Sequence, residues 1–330
     1  MPIGIGRRRF VALLGGGAAA WPLAARGQQT AMPVIGFLHG ASSGGYEPMA
    51  MSFRQGLKES GYVDRQNVAI EFRWAEGHYD QLPAMAADLV RRQVAMIVAG
   101  GTPAALAAKA ATSTIPTVVV VGGDPVELGL VGSLNRPGGN VTGLAVLTVE
   151  LEAKKLELLH ELLPAATAIA LLVNPANVLS QSETKDVDDA ARSIGVRLHI
   201  LNASTESQID AAFAGLAELR AAALMVSVDT FLNNSRGQIV ALAARYAVPT
   251  VYGVRDFVNA GGLMSYGTDL VDVYRQQGIY AGKLLRGARP ADLPIQQVTR
   301  VTLVINLKTA KTLGLTFPTT LLGRADEVIE

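Results

Sequence analysis

The sequence predicts an α/β protein of two doubly wound lobes, each built on a parallel sheet with helices on both faces. Three observations predict this fold class. Short β-branched runs alternate with amphipathic segments rich in alanine and leucine along most of the chain. The runs are continuously apolar, as in parallel strands that helices cover on both sides. The alternation comes in two consecutive series of similar length, which indicates two sheets with right-handed crossovers.

The first series predicts four strands and three helices. The predicted strands are Val34–Leu38, Val68–Trp74, Ala95–Ala99 and Thr117–Val121. The predicted helices are Pro48–Ser60, Leu82–Arg92 and Pro103–Ala111. Gly61 ends the first helix, and apolar residues recur at helical spacing in the second.

The second series repeats the pattern with four further strands and four helices. The predicted strands are Ala168–Val173, Arg197–Leu201, Ala222–Val228 and Thr250–Tyr252. The predicted helices are Glu150–Leu163, Ser182–Ser193, Gln208–Leu219 and Gln238–Tyr246. Pro164 stops the first of these helices, since proline cannot continue a helix.

A shorter third section follows the two series. It consists of strand Gly262–Tyr266, helix Val271–Leu285, a polar connection at Arg286–Pro294, strand Thr302–Ile305 and helix Leu307–Leu313. Two lone strand–helix units at the end of a two-lobed chain predict a return to lobe one and then to lobe two, with the last helix in lobe two.

The predicted lobes follow from this path. We assign 32–123 plus 260–289 to lobe one, and 124–259 plus 290–330 to lobe two. The chain then crosses between lobes three times, near Asp124, Asn259–Gly261 and Ala288–Pro294, where glycine and proline cluster as in hinges. Asn135–Gly143 forms turns throughout and is interpreted as part of an inter-lobe connection.

The first 27 residues read as an export signal. Arg7-Arg8-Arg9-Phe10 precedes a short apolar stretch, Val11–Ala25, and Ala25-Arg26-Gly27 offers a cleavage site between small residues. The stretch is too short and too rich in glycine for a permanent anchor, which needs about 20 residues. The arginine pair favours the twin-arginine route over an ordinary secretory signal. We therefore expect a periplasmic protein, cleaved near Gly27 and without a membrane anchor.

Charge and composition exclude several kinds of function. The chain has 29 basic and 28 acidic residues, and removing 1–27, with four arginines and no acid, leaves a net charge of −3. That balance argues against a nucleic-acid partner. The chain has no cysteine, hence no disulfide or lipid attachment through a cysteine, and its four histidines are widely spaced, so we expect no metal or other cofactor. No nucleophile elbow or phosphate-binding loop occurs, which argues against an enzyme.

Candidate binding residues lie where predicted strands of lobe one end, because ligands of open parallel sheets bind at those loops. Ser42 and Ser43 follow the first strand. Gly101 and Thr102 precede a helix whose free N–H groups favour a carboxylate, with a plain helix start as the alternative. Gly123 and Asp124 follow the fourth strand, where Asp124 either accepts hydrogen bonds from a ligand or caps the next turn.

Lobe two offers its own candidates. Asn174 ends one strand and Asp229 another, so the Asp229 carboxylate either faces an ammonium group or caps the following helix. Tyr252 and Tyr266 lie near strand ends, where they stack on a ligand or belong to the core.

Recurrent sequence blocks resemble the ABC transporter substrate-binding proteins of the tryptophan-binding-protein-like family, along the whole chain. The blocks are Gly101-Thr102-Pro103-Ala104-Ala105-Leu106-Ala107, Gly123-Asp124-Pro125-Val126, the stretch from Asn135 to Gly143, and Val304-Ile305-Asn306-Leu307-Lys308-Thr309-Ala310. The resemblance implies the type 1 periplasmic-binding-protein fold, with a hinge of three strands. It also implies capture of a small solute in the cleft, as a monomer, and delivery to an ABC transporter permease.

Carried over by position, the Thr102 loop holds a ligand carboxylate, Asp229 faces an amine and the Asp124 loop closes one side. Characterised relatives are linked to aromatic amino acids. The first loop, from His39 to Gly45, departs from the family pattern and few aromatic residues are predicted near the cleft, so the solute class stays open between an amino acid and a related small carboxylate.

Two alternative functions remain at this point. The same receptor serves equally as the sensing subunit of a membrane signalling protein. An exported hydrolase that uses Asp124 and Asp229 is the other alternative, but the chain has no nucleophile motif or metal cluster to support it.

Overall fold

The computed structural model describes residues 32–146 and 148–330, which form two α/β lobes. The predicted export signal lies outside the described residues. Within them, no helix combines the length and the apolar character that a bilayer span requires.

Strands and helices alternate through the described chain. In chain order the strands are β1 (Val34–His39), β2 (Ala69–Trp74), β3 (Met96–Gly100), β4 (Thr117–Val121), β5 (Val141–Ala145), β6 (Ala168–Val173), β7 (Arg197–Asn202), β8 (Leu224–Val226), β9 (Thr250–Tyr252), β10 (Met264–Thr268), β11 (Gln296–Gln297), β12 (Val301–Asn306) and β13 (Glu327–Ile329). The helices are α1 (Glu47–Glu59), α2 (Leu82–Arg91), α3 (Thr102–Ala111), α4 (Thr148–Leu162), α5 (Ser180–Ser193), α6 (Glu206–Gly215), α7 (Thr230–Asn234), α8 (Arg236–Arg245), α9 (Arg255–Asn259), α10 (Leu270–Leu285), α11 (Leu307–Thr312) and α12 (Thr319–Leu322).

Each lobe has one sheet. The sheet of lobe one has the order β11-β5-β4-β3-β1-β2, and all its neighbouring strands are parallel. The sheet of lobe two has the order β13-β12-β10-β9-β8-β6-β7, with β12 antiparallel to β10 and the other pairs parallel. Two α/β lobes with parallel sheets confirm the predicted fold class.

The predicted lobe boundaries are wrong at three strands, β5, β10 and β11; the last, assigned to lobe two, pairs with β5 in lobe one. β5, assigned with its preceding turns to lobe two, pairs with β4 in lobe one, where Thr142 lies opposite Val118. Gly143 lowers the strand propensity of this segment, so the sequence pattern does not predict a strand there. Gly143 has φ +147°, and a Cβ there would lie 2.1 Å from the Val119 carbonyl oxygen, so the position requires glycine.

β10 is the second strand that the sequence assigned to the wrong lobe. It pairs with β9 and β12 in lobe two, and its Met264 is fully buried in that lobe's core with Val251 and Ile305. The chain therefore crosses between the lobes three times, as predicted, but at other places. In the described chain these are between Ala145 and Thr148, at Asp269, and between Gln297 and Val301. The helix after Ile305, α11, packs in lobe two as predicted.

A single residue, Asp269, separates the end of β10 in lobe two from the start of α10 in lobe one, so the chain changes lobes abruptly at this crossing. Asp269 is the N-cap of α10, and its Oδ1 accepts hydrogen bonds from Val271 N at 2.9 Å and Asp272 N at 3.3 Å. The cap fixes the direction in which the helix leaves the crossing.

Helix α10 packs on α1 with almost no side chain between the two backbones. A Cβ at Gly278 would lie 2.1 Å from the Phe53 carbonyl oxygen, and one at Gly56 would lie 1.8 Å from the Arg275 carbonyl oxygen. This approach seats the first turns of α10 against lobe one and carries Tyr274 to the carboxyl edge of its sheet.

A methyl group at Gly278 tests this packing. Gly278→Ala forces α10 away from α1, and overpacking of this kind costs about 1–3 kcal/mol of unfolding free energy. Urea denaturation of the two proteins measures the loss.

Gly237→Ala is the matched control, because Gly237 also lies in a helix but has no atom within 4 Å of a Cβ position. Replacing an unconstrained helical glycine by alanine should stabilise by about 0.5–1 kcal/mol. Equal effects of the two substitutions would contradict the packing argument.

Candidate functional site

A cavity of about 470 Å³ lies between the lobes. It faces the carboxyl ends of β4 and β5 in lobe one and the segments that follow β6 and β8 in lobe two, the position expected for a ligand of open parallel sheets. The lining residues are Tyr46, Gly101, Thr102, Val120, Val121, Gly122, Val146, Thr148, Asn177, Leu179, Val228, Thr230, Asn233, Leu270 and Tyr274.

The lining is apolar with a few polar groups. Among the described residues, none that lines the cavity carries a carboxylate, ammonium or guanidinium group. Hydroxyl and amide side chains and the backbone of the α3 start supply all of its polarity. The described lining therefore offers neutral hydrogen-bonding groups and apolar surface.

The start of α3 contributes the loop that the sequence singled out. The helix begins one residue before the predicted Pro103 start: Gly101 is the N-cap, and the chain turns there with φ +89°, a conformation that favours glycine. Thr102 is the first helical residue, and its Oγ1 accepts from Gly122 N at 3.0 Å, which ties the helix start to the end of β4. The first N–H groups of a helix have no partner within it, so they remain available to an acceptor.

The lining residue Tyr274 forms a buried pair with His39, which does not line the cavity. His39 Nδ1 accepts from Ala41 N at 3.0 Å, so the ring proton lies on Nε2, which is 2.7 Å from Tyr274 Oη. Burial lowers the pKa of His39 to about 3, so the ring is neutral and donates this one proton. Burial raises the pKa of Tyr274 well above its ordinary value, which keeps the phenol protonated.

The Asp229 carboxylate lies behind the lobe-two wall, between the lining residues Val228 and Thr230, and is only 2% exposed. Its oxygens accept five hydrogen bonds, from Phe231 N, Leu232 N, Asn174 Nδ2, Asn177 Nδ2 and Tyr79 Oη, at 2.8 to 3.1 Å. Burial raises its pKa, and the donors oppose that shift by stabilising the charged form. Asp229 is the N-cap of α7, the alternative that the sequence left open.

Direct hydrogen bonds join the lobes along one rim of the cavity. Tyr79 of lobe one donates to Asp229 Oδ2 at 2.8 Å and accepts from Phe231 N at 2.9 Å. Asn233 Nδ2 donates to Tyr46 Oη at 3.2 Å. Two further contacts are Arg236 Nη1 to the Gly45 carbonyl oxygen at 3.1 Å, and the Ser42 hydroxyl to Asn234 Oδ1. This rim holds the lobes in contact.

Of the lobe-one candidates, the structure brings Gly101 and Thr102 to the cavity. Ser42 instead bridges the lobes at the rim, and exposed Ser43 lines a separate surface groove beside Trp74. Gly123 packs against Leu179 behind the lining residue Gly122. Asp124 Oδ1 accepts from Val126 N at 2.7 Å, so it caps the next turn, the alternative that the sequence left open.

The lobe-two candidates lie behind or beside the cavity. Asn174 supports Asp229 and does not line the cavity. Tyr252 is fully buried in the core of lobe two, stacked on Phe257 with ring centroids 4.4 Å apart, and does not line the cavity. Tyr266 lines a small adjoining cavity that shares Val228 with the main one.

Sequence reasoning missed the polar side chains that the structure brings to the cavity. Tyr46, Asn177, Asn233 and Tyr274 were not among the candidates. Asn177 carried the clearest signal, because it follows the Asn174 strand end by three residues and caps Leu179 N at 3.1 Å.

Buried charges lie deeper in lobe two. Lys155 and Glu152, both fully buried, form an ion pair at 2.6 Å, and Lys155 Nζ also donates to the Val226 carbonyl oxygen at 3.1 Å. Nearby Glu183 is 1% exposed. Burial, followed by the repulsion of Glu152, raises its pKa to about 8, while Lys155 opposes the shift.

Glu183 gives stability a specific pH dependence. Its pKa is about 8 in the folded chain, against an ordinary value of 4.5 when unfolded. Between those values the unfolded chain releases a proton that the folded chain keeps. The free energy of unfolding therefore falls as pH rises through the window, by at most about 1.4 kcal/mol per pH unit.

Glu183→Gln removes this contribution, so the variant should gain stability over the parent protein from about pH 5 to about pH 8. Urea denaturation across that range measures the difference. The control is Glu157→Gln, at a side chain that is 57% exposed. A constant difference between the Glu183→Gln variant and its parent at every pH would refute the assignment.

This chain is similar to a known protein family and to a characterised relative. The family described as ABC transporter substrate binding protein matches residues 38–329. A tyrosine-binding protein from Clostridioides difficile (strain R20291) is 30% identical over 264 residues, which cover 80% of this chain and 75% of that protein.

Two solved structures share both fold and sequence with this chain. An ABC domain in complex with L-Trp from Streptococcus pneumoniae is 27% identical with a TM-score of 0.80, covering 89% of this chain and 100% of that one. The ligand-free, open structure of a substrate binding protein with adhesive properties from Clostridium difficile is 25% identical with a TM-score of 0.62, covering 90% and 99%. The family match spans most of the chain, and the fold and the inter-lobe cavity agree with it. The chain belongs to the ABC transporter substrate-binding proteins, a family of binding proteins and not of enzymes.

Proposed function

We propose that this substrate-binding protein works in the periplasm, where it captures an amino acid or a related small carboxylate between its lobes and delivers it to an ABC permease. The inter-lobe cavity carries the proposal. It lies between the lobes at the carboxyl ends of their strands, where open parallel sheets bind ligands, and the start of α3 offers it unpaired N–H groups suited to a carboxylate.

The relatives support the solute class. One is a tyrosine-binding protein and another was solved with L-Trp. The TM-score is higher against that L-Trp complex than against the open, ligand-free structure, which agrees with the direct contacts between the lobes of this chain.

The path of the chain supports a cycle of opening and closing. Three short connections join the lobes. The hydrogen bonds at the rim join other parts of the two lobes, so they can break while the connections stay intact. Hinge closure of this kind buries a ligand between rigid lobes. The arginine pair at Arg7-Arg8 and the apolar stretch behind it support export by the twin-arginine route.

A thermal-shift screen against amino acids and small carboxylic acids tests the proposal. A solute at about a hundred times its dissociation constant stabilises the folded protein by roughly 2.7 kcal/mol. For a chain of this size we expect a rise in Tm of several degrees. The absence of a shift with every amino acid and carboxylate in the panel would refute the proposed solute class.

Removing the Tyr79 hydroxyl tests closure. Tyr79→Phe deletes two hydrogen bonds between the lobes, so the closed arrangement becomes less populated and the apparent affinity for a bound solute should fall about tenfold. Calorimetry measures the affinity, and small-angle scattering with the solute present should show a larger radius of gyration.

Tyr246→Phe is the matched control, since Tyr246 lies exposed on the outer surface of lobe two. Identical affinity and radius of gyration in the Tyr79→Phe and Tyr246→Phe proteins would mean that the rim does not control closure.

A further inference from the structure

Resting on the proposed function, we infer that the solute is a monocarboxylic acid without an α-ammonium group, and that the hydroxyls of Tyr46 and Tyr274 donate to its carboxylate. The inference joins two observations. Two buried tyrosines that line a neutral cavity have phenol protons without an acceptor in the described chain, and no residue that lines the cavity offers an ammonium group an anionic partner.

The first phenol is Tyr274. Its oxygen accepts the Nε2 proton of His39, because His39 Nδ1 is occupied as an acceptor by Ala41 N. Tyr274 lines the cavity and is only 3% exposed. In the described part of the chain its own proton has no acceptor, and a buried donor without an acceptor is costly. An acceptor in the cavity relieves that cost.

The second phenol is Tyr46, on the same lobe and also on the lining, with 4% exposure. Its oxygen accepts from Asn233 Nδ2 at 3.2 Å, so its proton is likewise free for an acceptor. The two rings are neighbours, with centroids 6.4 Å apart. Burial raises the pKa of both phenols above the ordinary value, so both remain donors.

Together these groups form one end of the site. Two phenol donors, with the free N–H groups at the start of α3 on the same cavity, suit the two oxygens of a carboxylate, and hydrogen bonds to a charged acceptor are among the stronger ones. The two buried phenol donors on the same cavity distinguish the start of α3 from an ordinary helix start.

An amino acid also requires an anionic partner for its α-ammonium group, and the described lining of the cavity offers none. Asp229, between the lining residues Val228 and Thr230, lies behind the wall, and its five hydrogen bonds from protein donors use both oxygens. Asp269, beside the lining residue Leu270, caps α10, and Glu47, beside Tyr46, lines the separate groove that contains Ser43. Glu152 is paired with Lys155 deeper in the lobe. An ammonium group in the cavity would lose its hydration without gaining a charged partner, which is strongly unfavourable.

Matched solute pairs that differ only in the α-ammonium group test the inference by calorimetry on the full chain. Suitable pairs are 3-phenylpropanoate with L-phenylalanine, 3-(indol-3-yl)propanoate with L-tryptophan, and 4-methylpentanoate with L-leucine. We expect at least one acid to bind about tenfold or more tightly than its amino acid, because only the amino acid buries an unpaired charge.

Single variants then test the two donors on the acid that binds. Tyr46→Phe and Tyr274→Phe should each weaken binding about tenfold or more. Tyr280→Phe is the matched control, since Tyr280 lies on the same helix as Tyr274 but its hydroxyl donates to the Pro294 carbonyl oxygen, away from the cavity. Thermal unfolding of each variant verifies that it folds, and if one does not, the other carries the test.

The outcomes separate the inference from the proposed function. Tighter binding of the amino acid in each pair, or unchanged affinity in a folded Tyr46→Phe or Tyr274→Phe protein, would overturn the inference and leave the receptor function standing. Failure of every acid and every amino acid, in these pairs and in the thermal-shift panel, would overturn both.

Discussion

The Asp229 carboxylate is the interaction on which the inter-lobe site depends. One charged group caps α7, holds the Asn174 and Asn177 amides after β6, and reaches across the cleft to the Tyr79 hydroxyl of lobe one. A buried charge is tolerated only when its hydrogen bonds are satisfied. Satisfying this one aligns the segments after β6 and β8 of lobe two with each other and with lobe one, so the wall and the rim of the cavity share a single anchor.

A second feature of lobe two is that its buried charged side chains do not line the cavity. Lys155 and Glu152 neutralise each other in the core of lobe two, where Lys155 also holds the Val226 carbonyl at the end of β8. Removing one member of such a pair would leave an uncompensated buried charge, which is far more costly than the pair itself. The lining of the cavity is therefore neutral and largely apolar, a setting in which each unmatched hydrogen bond is costly.

The sequence predicted the positions of individual strands and helices far better than it predicted which strands pair with each other. β4 and β6 were predicted to the residue, because a continuous apolar run with turn signals is a local signal. The lobe of β5 and of β10 depends on pairing with distant strands, so local pattern could not decide it. Likewise the Thr102 loop was found from its position after a strand, whereas Tyr274 has the spacing of an ordinary core residue. Only the seating of α10 on α1 brings that side chain to the cavity.

The one-residue connection at Asp269 has a mechanical consequence. Because the last strand residue of lobe two and the first helical residue of lobe one flank it directly, relative rotation of the lobes at this crossing concentrates in one or two backbone dihedral angles. Tyr274 follows five residues later, about 7 Å along the helix from that pivot. In the proposed receptor, a solute between Tyr274 and lobe two would act close to this pivot. A small difference in the length of the solute would then correspond to a change in the angle between the lobes, which another protein could detect without touching the solute.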